Sequence, residues 1–101
     1  SKQEFLRDIG YVQPNLVTPS PGNLVPAGTV IPYAGTENPI PTVWGWVLCD
    51  GTLYLSLEAR YARLFSIIGH TYGGSGNEFA VPSLTPLVTT NGKNIRYIIK
   101  L

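Results

Sequence analysis

The chain has 101 residues, 44% of them hydrophobic and only 13% charged, with a formal net charge of +1. That length supports one domain with a modest core. The near-neutral balance excludes a strongly basic nucleic-acid or anionic-membrane footprint, so neither nucleic acid nor membrane insertion is expected. Charge is about half the usual share of roughly 25%, although a small domain normally needs charge on its surface. Coverage of part of that surface by other chains is therefore expected. No apolar run approaches the roughly 20 residues that span a bilayer, and Ser1-Lys2-Gln3-Glu4 does not open a signal peptide. The Ser1 start fits removal of an initiator Met, which makes a complete small protein the expectation.

Residues 1–25 read as an N-terminal arm. A short helical turn is predicted over Lys2–Asp8, followed by extended chain through Pro14, Pro19 and Pro21. Proline removes ladder donors and disfavours helix at the preceding residue, so the segment builds no core alone. A disordered tail is the alternative. Residues 26–101 are predicted to form an α+β domain of short strands and hairpins packed with one short helix.

Its first strand is predicted at Thr29-Val30-Ile31, with Pro32 confining it to a sheet edge or a strand end. Gly35, Asn38, Pro39 and Pro41 mark Ala34–Val43 as a loop. Trp46-Val47-Leu48 reads as a second strand, with Trp46 expected in the core. Asp50-Gly51 suits a tight hairpin turn from which Thr52-Leu53-Tyr54 returns. Cys49 is the single cysteine, which rules out an internal disulfide and gives no support to an oxidising export route. Beside Val47 and Leu48 it reads as a small buried hydrophobe, its pKa raised by Asp50.

A helix is predicted to open at Ser56, whose hydroxyl can cap free backbone donors. Leu57, Tyr61, Leu64, Phe65 and Ile68 form its apolar face, Arg60 and Arg63 lie opposite, and Gly69 stops it. His70–Asn77 is a glycine-rich loop and Phe79–Pro82 a brief extended piece. In the last strand Ile95, Tyr97, Ile99 and Leu101 alternate with Arg96, Ile98 and Lys100, which predicts a single apolar face.

Chemistry-bearing residues are sparse. The six acids, Glu4, Asp8, Glu37, Asp50, Glu58 and Glu78, are scattered, and paired glycosidase carboxylates would require Glu37 to meet Glu78 across an interface. No base neighbours a nucleophile in sequence, and Gly73-Gly74-Ser75-Gly76 lacks the lysine of a phosphate loop. The reading is not an enzyme, with no catalytic residue, cofactor or metal. His70 could place three nitrogens on the axis of a trimer, but a solvated residue at a helix end is the reading adopted. Trp44, Tyr72, His70 and Asn77 are the receptor or interface candidates, since an exposed aromatic ring can stack on a sugar or anchor a partner.

Four blocks in order then carry a resemblance. They are Pro26–Gly35, Gly45-Trp46-Val47-Leu48-Cys49-Asp50-Gly51, Tyr61–Gly69 with Thr71-Tyr72-Gly73-Gly74, and Phe79-Ala80-Val81-Pro82-Ser83-Leu84. Together they resemble the bacteriophage tail collar domain, and Asn94–Lys100 is similar to the final strand of such proteins. After the last block the family continues with an Arg-Gly-Arg stretch, where this chain has Thr85-Pro86-Leu87-Val88. The resemblance implies a virion component of the phage tail, assembled in the host cytoplasm. It implies a homotrimeric tail fibre, attached to baseplate or other tail proteins through residues 1–25 and facing a host surface glycan. A connector without receptor binding is the alternative.

Overall fold

A computed structural model describes residues 25–101, so the helical turn and arm expected before Val25 lie outside the described residues. Strands β1 (Val30–Tyr33), β2 (Trp46–Leu48) and β5 (Leu87–Val88) all pair antiparallel with the seven-residue β6 (Asn94–Lys100). Val30 faces Ile99 and Tyr33 faces Arg96 across β1–β6, while Val47 faces the same Ile99 from β2. Strands β3 (Leu53–Leu55) and β4 (Glu78–Ala80) form a separate antiparallel pair, in which Tyr54 faces Phe79. β-Branched and aromatic side chains dominate β6, which suits a strand with neighbours on both edges. Pro32 sits in edge strand β1, where its missing N–H breaks no interior ladder.

The core gathers where the two sheets and the main helix meet. Val47, Cys49, Tyr61, Leu64, Phe79, Val81, Ile99 and Leu101 are buried together, with Tyr54, Phe65, Ile68 and Tyr97 packed against them. Phe79 anchors the aromatic part, its ring 5.3 Å from Phe65 and 6.3 Å from Tyr54. These tilted arrangements favour ring edges over faces and add to the area term of burial.

Several expectations change on contact with the fold. Asp50-Gly51 turns the chain, with Gly51 at φ +81°, but β2 and β3 do not form a hairpin. Asp50 Oδ1 accepts from Thr52 N at 3.1 Å and Thr52 Oγ1 at 2.6 Å, and the Gly51 amide donates to Pro82 O. Asp50 also bridges Ser83, and Val81 N donates to Thr52 O. The chain leaving the turn is thus claimed by residues 81–83, which direct it to β4 and not back along β2.

The main helix begins at Ala59, not Ser56, with Glu58 as its N-cap. Ser56 is buried, and its amide and hydroxyl both donate to Asn77 O, at 2.8 and 3.1 Å. Its hydroxyl therefore fastens a distant loop instead of capping a helix. Leu57 falls outside the apolar face and is 77% exposed. We number this helix α2 (Ala59–Ile68), because a single turn, α1 (Pro41–Trp44), interrupts the expected Ala34–Val43 loop. Pro41 at its start has a preset φ, and Gly45 N closes it on Pro41 O.

Trp46 is half-buried, on the opposite face of β2 from Val47, and is no core residue. Strand β6 is apolar-in on more than one face, since Ile98 and Lys100 are buried beside Ile99 and Leu101. Its C-terminal half runs between β1 and β2, with Gly28 N bonding to Lys100 O and Leu101 N to Gly45 O. That central position leaves little of either face open.

Candidate functional site

Trp44 ends α1, is 40% exposed, and meets the Tyr33 ring edge-on at 6.2 Å. The pair forms an open aromatic corner beside the exposed Ile40. Tyr72, 52% exposed, His70 and Asn77 share the loop between α2 and β4. That loop is held firmly: Gly73 N donates to His70 O, Glu78 N to Ser75 O, and Ala80 N to Gly73 O. His70 Nε2 lies 3.1 Å from Gly76 O, so Nε2 carries the donated proton, and its ring meets Phe65 at 5.1 Å. His70 therefore braces the loop at the helix end. Asn77 contributes its carbonyl to Ser56 and leaves its side chain outside. Among the described residues no hydrogen bond or ring contact joins Trp44 to this loop. Trp44 stands on α1, and the other three candidates on the loop between α2 and β4.

Cys49 is buried and its thiol is pushed up to about 11, first by desolvation and then by the Asp50 carboxylate. At neutral pH it is a protonated packing group, and the thiolate needed for chemistry is scarce. Among the described residues no three His, Cys, Asp or Glu side chains converge as a metal site would require. Their helices include none long and apolar enough to cross a membrane.

Two clefts of about 260 Å³ each were not foreseen from sequence. One lies between Pro41, Gly45, Ala59, Arg60, Arg63 and Leu101. There Arg60 stands 3.7 Å from Glu58, and Arg60 and Arg63, on the side of α2 opposite its apolar face, line a wall. The other opens where Asp50 bridges Ser83, with Arg96 and Tyr97 of β6 opposite. Arg96 is braced by three neutral oxygens: Asn38 Oδ1 at 2.7 Å, Gly35 O at 3.0 Å and Glu37 O at 3.3 Å. The only sequence signal for this cleft was the Asp50-Gly51 turn, because Ser83 and Arg96 come together through long-range pairing.

The architecture is that of a small α+β domain carrying exposed aromatic corners and two clefts. The family model for the Phage Tail Collar Domain matches residues 28–89, and the chain belongs to that family. Comparison with curated proteins and with solved structures gave no match. Membership makes it a structural component of a bacteriophage tail, and so part of the virion. The matched stretch stops before β6, the strand on which β1, β2 and β5 all assemble.

Proposed function

We propose that the chain is a small homotrimeric tail fibre without catalytic activity. In this reading residues 1–25 attach it to a baseplate or other tail protein. Residues 26–101 face outward and contribute to recognition of a glycan on the host surface. Assembly takes place in the host cytoplasm. The supporting observation is a large apolar surface on a weakly charged domain: Leu57 is 77% exposed and Val88 69%, with Leu53, Leu55 and Ile67 about half exposed. Isolated surface leucines are ordinary, but this many on so small a domain fits coverage by other chains. Trp44 and Tyr72 supply rings that can stack on sugars.

Sedimentation of the full chain should return three times the monomer mass, and Trp44→Ala should reduce adsorption to host cells. A connector role replaces this reading should a virion map place the domain inside the baseplate, shielded from the outside. Loss of the protein from virions on deletion of residues 1–25 tests the attachment arm separately.

A further inference from the structure

The cleft at the Asp50–Ser83 bridge has a chemical character that the tail role does not explain. Asp50 Oδ1 is occupied by Thr52, but among the described residues Oδ2 has no hydrogen-bond partner. The same holds for Ser83 Oγ, Tyr97 Oη and Arg96 Nε. Acceptors, donors and two hydroxyls that can do either thus remain around one opening. Leu48, Leu84 and Pro86 complete the wall with apolar surface, next to the Tyr97 ring.

One carboxylate and one guanidinium stand on the same cleft, so the lining is neutral overall. A phosphate or carboxylate ligand meets Arg96 only in the company of Asp50, which repels it. An apolar ligand leaves Asp50 Oδ2 and Arg96 Nε desolvated without partners, which is costly. A ring carrying several hydroxyls satisfies every group: it donates to Asp50, accepts from Arg96, exchanges bonds with Ser83, and lays its C–H face on Tyr97 and Pro86. The volume of about 260 Å³ falls just below the roughly 300–1,000 Å³ of pockets for drug-sized ligands, which suits a single sugar ring.

We propose that this cleft binds one neutral hexopyranose unit, with Asp50 and Arg96 as its polar anchors. Arg96 is pre-organised for the task by its three carbonyl partners, so little side-chain freedom is lost on binding. A host surface glycan as the source of the sugar rests on the functional reading above, whereas affinity for the free sugar does not.

Nitrogen–proton NMR titration of the full chain with glucose, galactose, mannose and N-acetylglucosamine tests it. At least one sugar should give saturable shifts centred on the amides of Leu48–Gly51, Ser83–Leu84 and Arg96–Tyr97. Asp50→Asn keeps an acceptor for Thr52 and so preserves the turn, yet should weaken that affinity about tenfold through loss of a charge-assisted bond. Ser83→Ala, which removes only a hydroxyl, should weaken it about threefold. Absence of saturable shifts with all four sugars overturns the inference, as does saturation of these amides by inorganic phosphate alone. Binding of free sugar by a chain that adsorbs to no host cell upholds the cleft and overturns the host-facing role.

Discussion

Gly74 offers the sharpest test of how the loop between α2 and β4 is built. Its φ is +85°, and a Cβ placed there would lie 2.5 Å from Glu78 O and 2.8 Å from Phe79 Cα. Both atoms belong to backbone, at the start of the strand that buries Phe79 completely. Gly74→Ala therefore carries two costs. The left-handed conformation costs about 1–2 kcal/mol for an L-residue, and forcing β4 outward costs about 1–3 kcal/mol by analogy with overpacked cores. Together they remove about 2–5 kcal/mol from a stability of roughly 5–15 kcal/mol typical of such domains. Gly76, two residues on, is the control: its φ is +60°, but nothing lies within 4 Å of its added Cβ. Gly76→Ala should lose about 1 kcal/mol, from conformation alone. Urea unfolding followed by tryptophan fluorescence reads both, and the melting temperature of Gly74→Ala should fall by about 10 °C or more. Equal losses in the two variants would refute the close approach of loop and strand.

Other expectations follow from the core and the loops. Cys49 rises from 9.0 to about 11, mainly by burial, and Tyr54 from 10.0 to about 12, again mainly by burial and then by Asp50. The folded state keeps these protons where the unfolded chain has lost them, so the contribution of the two groups to stability is constant below about pH 9 and declines from there towards pH 12. For Cys49 the decline amounts to about 2–3 kcal/mol, and Cys49→Ala should abolish that share in denaturant titrations run across the alkaline range. At pH 8 the native thiol should react with a disulfide reagent far more slowly than the unfolded chain does. Leu64→Ala should cost about 3–5 kcal/mol in urea unfolding, because Leu64 is fully buried amid Tyr61, Phe79 and Val81. Arg96→Gln should cost about 1–3 kcal/mol and speed amide exchange over residues 35–38, since it removes three bonds to that loop. Unchanged exchange there would show that the loop is held by something else.

Elements fixed by local chemistry are legible in the sequence. Helix α2 announced itself because Tyr61, Leu64, Phe65 and Ile68 recur at helical spacing, and all four reach the core. The strand at Trp46–Leu48, the edge position of β1 and the burial of Cys49 were equally local properties. The errors share a cause. The sequence neighbours of Ser56, Asp50 and Ile98 point to a helix cap, a hairpin turn and an outward strand position, but their roles are set by Asn77, by Ser83 and by the sheet around β6. The sugar-sized cleft was illegible for the same reason, as Asp50, Ser83 and Arg96 come from separate segments.

The junction of Gly28 with Lys100 gives the domain a mechanical direction. Chain entering at residue 28 and chain at residue 101 lie at the same end of the β1–β6 ladder, which runs from Val30–Ile99 to Tyr33–Arg96. Tension between those two points peels the ladder open one residue pair at a time, so little force is needed. Tension applied between residue 28 and the Arg96 end of β6 instead loads all four pairs in parallel. A domain of this topology resists force better through a surface it is held by than through residues 28 and 101.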